Sequence, residues 1–232
     1  MHWRRPIRSS ISWRRLACVR HHSSGLLRII NDMKQGTKKV VKPAAPAPKP
    51  TFWTGIVDLA TVDPAKLAVV SYPAPVLKKR AKTITAFDAN LRAIVERMKV
   101  LMEQSKGVGL AAPQVGLSVR LFVASETGKA ADARAFINPE ILDESGQEEG
   151  EEGCLSLSEI RVKVTRFTKL KVRAVDEHGT PFEQELTFYP ARIIQHENDH
   201  LDGILLLDRM SMVAKMANRR QIKALEERAA GK

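Results

Sequence analysis

Cysteine is nearly missing from this chain: Cys18 and Cys154 are the only two in 232 residues. Two cannot build a disulfide framework, so nothing points to secretion, and a metal or redox role stays open. Long apolar runs are missing too. None approaches the ~18 residues that a membrane-spanning helix needs, so no membrane partner is expected. Acid is absent from residues 1–31, which hold seven Arg and no Asp or Glu. Residues 32–57 hold five Lys against Asp32, and residues 58–232 balance 26 basic against 25 acidic residues. The net charge of +12 therefore belongs to the N-terminal segment. A body-wide phosphate-binding surface is not supported, and no sequence-specific nucleic acid contact is expected. No internal repeat is visible.

What is present divides into zones. Residues 1–32 read as a leader. Their Arg-rich, Ser-containing, acid-free composition suits an organelle transit peptide. A second reading competes, in which translation starts near Met33. Before Met33 every Lys or Arg position is Arg, and from Lys34 to Lys49 every one is Lys. The first reading places the protein in a mitochondrion or plastid, the second in a bacterial-type cytoplasm. Residues 33–57, rich in Lys, Pro and Ala, are expected to form an extended linker, because proline disfavours both packed helix and central strand. Residues 58–210 are expected to form the catalytic domain and 211–232 a C-terminal helix.

Within the domain, Leu91, Ile94, Val95, Met98, Leu101 and Met102 follow a 3.6-residue period, so 88–104 reads as an amphipathic helix with Thr85 or Asp88 as cap. The methionines there read as core. VRLFVAS (119–125) is a short strand. KLKVRAV (169–175) and FEQELTF (182–188) alternate around the turn DEHGTP, a hairpin whose His178 reads as a solvated turn residue. The acidic stretch DESGQEEGEE (143–152) reads as a solvated loop. A helix starting at Pro190 carries ARIIQHENDHL, and MSMVAKMANRRQIKALEERA is a further helix. Its Lys215, Arg219, Arg220 and Lys223 form either a solvated charged face or a ribosome contact.

The chemistry sits in QHENDHLDG (195–203). His196 and His200 lie four apart, one helical turn, so both imidazoles share a face. That is the spacing of a catalytic metal pair, with Glu197 placed as a base. Such a site needs a third protein ligand and an open position. In one common peptidase layout the third ligand is a His at the position held here by Leu206, which coordinates nothing. In another it is a downstream Glu, for which only Glu226 and Glu227 are candidates, both in the charged terminal helix. An H-E-x-x-H metallopeptidase is thus the alternative reading. Upstream, Cys154 is a candidate ligand, although a free cysteine is more often a small buried hydrophobe.

Three segments together resemble the peptide deformylase family: GVGLAAPQ (107–114), EGCLS (152–156) and QHENDHLDG (195–203), in the family's order. The resemblance runs over roughly 66–216, and Ser158 departs from it where many members carry proline. It implies an α+β domain of mixed, mostly antiparallel strands around the helix bearing His196 and His200. It implies a hydrolase that removes the N-formyl group from the N-terminal methionine of nascent polypeptides, releasing formate. Cys154, His196 and His200 would hold one divalent metal, Fe(2+) by the resemblance, with Zn(2+), Ni(2+) or Co(2+) compatible with a thiolate and two imidazoles. Mg(2+) and Ca(2+) are excluded because they want oxygen ligands. Glu197 would move the proton. The Gln114 amide and the Leu155 N–H would hold the oxyanion. Gly109 and Gly153 would let the peptide approach as an added strand. Asp199 is expected to orient one of the histidines, and Arg161 is a candidate for substrate contact.

Overall fold

The computed structural model describes residues 58–231. The expectations for 1–32 and for 33–57 lie outside the described residues. The first long element is helix α1 (Ala89–Gln104), where Asp88 Oδ1 accepts from the Leu91 N–H at 2.8 Å. Asp88, not Thr85, is therefore the cap, and it satisfies one of the orphan donors at the helix start. The six apolar residues of the expected stripe are all buried, Met98 and Met102 completely.

Five strands form one antiparallel sheet in the order β1 (Gly109–Ala111), β2 (Leu121–Ala124), β3 (Arg134–Ser145), β6 (Lys169–Val175) and β7 (Pro181–Thr187). A separate two-stranded sheet pairs β4 (Glu148–Cys154) with β5 (Leu157–Arg166). Every strand pairing is antiparallel. The parallel element of the expected mixture reduces to one isolated bridge, Lys82 with Val119. Helix α2 (Phe188–Leu201) lies against β1, β2, β6 and β7.

Period-two alternation explains how the sheet separates two cores. Leu110, Leu121, Val123, Ala135 and Ile137 pack with α1. Their neighbours Ala111, Phe122 and Phe136 pack with Ala191, Ile194 and Leu201 of α2. Covered on both faces, β2 reads as an unbroken apolar run rather than an alternating one. In the β6–β7 hairpin one face is wet. Leu170, Val172, Ala174 and Leu186 turn inward, while Lys171 and Arg173 pair with Glu183 at 2.7 and 2.8 Å outside. His178 is exposed in the connecting turn, as expected.

The acidic stretch 143–152 is not a loop. Its first residues end β3 and its last five form most of β4. The partner strand β5 alternates from Ile160 onward, with Leu157, Ile160, Val162 and Val164 packing on Leu206, Met210 and Leu225. Leu206, at 2 % exposure, is a core residue. The C-terminal segment is also more broken than its periodicity suggests. After the short α3 (Leu206–Arg209), the one expected helix divides into α4 (Met212–Ala217) and α5 (Arg219–Ala229). The break falls at Asn218, whose side chain donates to the Ala214 carbonyl at 2.9 Å. Such local side-chain bonds compete with helix propagation.

Helix α2 begins two residues earlier than expected. The chain turns out of β7 at Phe188, which has φ +51° and donates its N–H to the Thr168 carbonyl at 2.6 Å. Pro190 then falls within the first turn, where its missing N–H costs nothing. At the other end Gly203 has φ +72°, and a Cβ there would stand 2.7 Å from the Lys78 carbonyl oxygen. Only glycine fits both demands. The Leu201 carbonyl accepts from Ala81 N at 2.8 Å, and Arg120 pairs with Asp202 at 2.8 Å. The helix that carries the two histidines is thus fixed at its C-terminal end by backbone, glycine and ion pair together.

Candidate metal centre

Two elements meet at the site. Cys154 ends β4, and His196 and His200 project from α2 one turn apart. Their ligand atoms lie within 4.8 Å of one another, the only such group of metal-type side chains among the described residues. Cys154 Sγ is 3.4 Å from His200 Nε2. The imidazole rings stand edge to face, with centroids 5.1 Å apart. Neither downstream glutamate joins them: Glu226 accepts from the Tyr72 hydroxyl at 2.9 Å, and Glu227 pairs with Lys223.

The residue that orients a histidine is Glu152, not Asp199. Glu152 Oε2 lies 2.9 Å from His196 Nδ1. A carboxylate there holds the Nδ1 proton, which leaves the Nε2 lone pair for a cation. Glu152 is itself gripped by Arg166, through Nε at 2.9 Å and Nη2 at 3.0 Å, and by Arg192 at 2.9 Å. Asp199 faces away, toward Arg166 at 2.6 Å and toward Arg209. The network is buried: Arg166 and Glu152 side chains are 4 % and 5 % exposed. The signal for Glu152 was its place inside EGCLS. The signal for Arg166 was the alternation of RVKVTR, which puts it on the inner face of β5.

The electrostatics divide the ionisable groups. Burial opposes ionisation of Glu152, but the contacts from His196 and Arg166 outweigh it and bring its carboxyl down to about 2. Burial also opposes charge on His196, yet its contacts with Cys154 and Glu152 hold its pKa well above the ordinary value, so a cation binding at Nε2 displaces a proton there. His200 goes the other way, held well below by burial and by His196 beside it, and so keeps a free lone pair. Burial pushes Glu197 up to about 7, so this carboxyl can take and give a proton near neutral pH.

Gln114 is fully buried with its amide fixed. Its Oε1 accepts from the Ala111 N–H at 2.8 Å, which turns Nε2 toward Cys154 Sγ at 3.5 Å and Ser156 Oγ at 3.3 Å. Leu155 sits in the tight turn between Cys154 and Leu157, and Gly153 and Arg161 line the same cleft. The cleft measures about 620 Å³. Arg161 is exposed and stands 3.6 Å from Glu151. Gly109 carries a second demand besides lining the cleft. A Cβ there would meet Glu197 Oε1 at 2.3 Å and its Cγ at 2.7 Å. Gly109→Ala is therefore expected to displace Glu197 and to lower kcat by about 100-fold, the scale of a 1 Å misplacement. Metal content should stay at the parent value. Equal kcat in the variant would show that Glu197's position does not matter.

The donor set suits a single transition-metal ion. A thiol and two imidazoles converge, one imidazole has its far nitrogen held by a carboxylate, and Glu197 Oε2 is buried beside them with no protein partner. With an open cleft alongside, these features define a mononuclear metal hydrolase. Comparison with known proteins narrows the class. The family model for polypeptide deformylase matches residues 66–216. The peptide deformylase of Thermotoga neapolitana is 46% identical over 158 residues, which is 68% of this chain and 94% of that protein. The chloroplastic peptide deformylase 1B of Solanum lycopersicum is 40% identical over 174 residues, 74% of this chain and 62% of that protein. The crystal structure of Arabidopsis thaliana peptide deformylase 1B with an inhibitor superposes with a TM-score of 0.67 at 38% identity, over 70% of this chain and 92% of that one. The chain belongs to the polypeptide deformylase family, and its reaction is hydrolytic removal of the N-formyl group from nascent polypeptides.

Proposed function

We propose that Cys154, His196 and His200 hold the single metal ion, that the ion is Fe(II), and that Glu197, Gln114 and the Leu155 N–H carry the reaction. The observation that carries this reading is the convergence of the three donors within 4.8 Å beside the buried Glu197. One thiolate with two imidazoles is a soft-to-borderline set, suited to Fe(II) and its neighbours. When bound, the ion supplies Lewis acidity that makes a water nucleophilic near neutral pH.

The rest is done by side chains. Glu197 accepts the proton of the attacking water and delivers it to the departing amine. The Gln114 amide and the Leu155 N–H donate to the oxygen that gains charge, each worth about 3 kcal/mol in comparable oxyanion holes. Gly153 leaves room at the cleft edge for the substrate backbone, since a Cβ there would find only Arg161 at 3.7 Å. Formate and a free N-terminal methionine result.

The exposed Lys215, Arg219, Arg220 and Lys223 on α4 and α5 form the surface we assign to the ribosome. The compartment follows from the substrate: one that starts translation with formyl-Met, either a bacterial-type cytoplasm or an organelle. The zones 1–32, 33–57, 58–210 and 211–232 stand as our division of the chain. Metal analysis tests the ligand set. Anaerobically purified protein should carry one iron per chain, and Cys154→Ala, His196→Ala and His200→Ala should each lose it. Full iron retention in Cys154→Ala would remove the thiolate from the set.

A further inference from the structure

The metal site is assembled from two pieces, a hairpin that supplies Cys154 and a helix that supplies both histidines. Its geometry depends on how β4–β5 docks on α2. Arg192 lies one turn before His196 on the same face of α2. Its side chain is 12 % exposed. Its guanidinium reaches four acceptors on the hairpin: Glu152 Oε1 at 2.9 Å, the Val164 carbonyl at 2.8 Å, the Glu148 carbonyl at 2.9 Å and, at 3.5 Å, the Gly150 carbonyl. Two strands and the carboxylate behind His196 are thus tied to one side chain of the ligand-bearing helix.

The strand is shaped to receive it. A Cβ on Gly150 would stand 2.8 Å from Arg192 Cζ and 2.8 Å from its Nη2. Gly150 has no positive φ, so its glycine serves the approach of Arg192 rather than a turn. Gly150 and Arg192 are a matched pair, and neither belongs to the three motifs that carry the family resemblance.

We propose that Arg192, admitted by Gly150, is a positioning residue for the metal centre: it clamps the Cys154 hairpin and Glu152 to the helix bearing His196 and His200. A planar fork reaching several acceptors at once does this, and an ammonium does not. The proposal rests on the ligand set given above.

Full-length protein exchanged with Co(II) provides the test, since a thiolate-to-cobalt absorption band reports Cys154 and titration gives affinity. Arg192→Met and Arg192→Lys should each bind Co(II) about 10–100-fold more weakly than the parent, the usual scale for removing a partner behind a ligand, with the band altered. Gly150→Ala should weaken binding in the parent and add nothing in Arg192→Met, because the two changes remove one interaction. Parent-like affinity and band in both Arg192 variants would overturn the proposal. So would an equal Gly150→Ala effect with and without Arg192. If Arg192→Met does not fold by circular dichroism, Arg192→Lys and Gly150→Ala decide the question, and parent-like Co(II) binding in both overturns it. A parent that binds Co(II) without a thiolate band fails the ligand set itself, a separate result.

Discussion

Glu197→Gln is expected to fold, to keep its metal and to lose deformylation by about 10²–10⁴-fold in kcat, the range for a positioned proton-transfer group. The substitution keeps shape and removes only the proton-accepting oxygen. Glu197 is 4 % exposed and its Oε2 has no protein partner, so the amide disturbs no existing ion pair or hydrogen bond. Burial brings the native carboxyl to about 7, where it can accept a proton from water and release it within one turnover. No other acidic side chain replaces it, because Glu152 is committed to His196, Arg166 and Arg192. Steady-state kinetics with metal content measured on the same sample checks this. Parent-like kcat in a metal-loaded variant would take Glu197 out of the mechanism.

Arg166→Met is expected to give the largest loss of stability. The change leaves Glu152 with Arg192 and His196 as its remaining contacts, and leaves Asp199 with Arg209 alone. Removing one member of a buried ionic network costs about 3–5 kcal/mol, mostly the desolvated charge left behind. For a domain of this size that lowers Tm by about 10 °C, at roughly 2–4 °C per kcal/mol. The exposed pair Arg173–Glu183 is the control, and Arg173→Met should cost under about 1 kcal/mol. Thermal unfolding of the metal-free proteins makes the comparison. A shift for Arg166→Met as small as for Arg173→Met would mean that the buried network contributes little.

Much of this was legible in the residues, and the gaps have physical causes. The stripe on α1 and the β6–β7 hairpin each have one face toward a core, so their periodicity survives in sequence. The histidine pair was legible because helix geometry alone brings residues four apart together. Cys154 needed more, since nothing local marks a thiol that meets its partners across two elements. β4 was missed because six of its seven residues are acidic or glycine. Its burial comes from Arg166 and Arg192, distant in sequence, which make Glu152 an inward residue. Asp199 took the role of histidine partner on proximity in sequence, yet its position on α2 points it at Arg166. The break at Asn218 was hidden because its competing bond to Ala214 leaves the apolar spacing almost unchanged.

The most direct measurement is formate release from a formyl-Met-Ala peptide by protein purified without oxygen, with its metal counted. The account predicts one formate for each free methionine amine formed, with the peptide chain intact, and no internal cleavage of unformylated peptides. Protein that carries one metal per chain and releases no formate would contradict it.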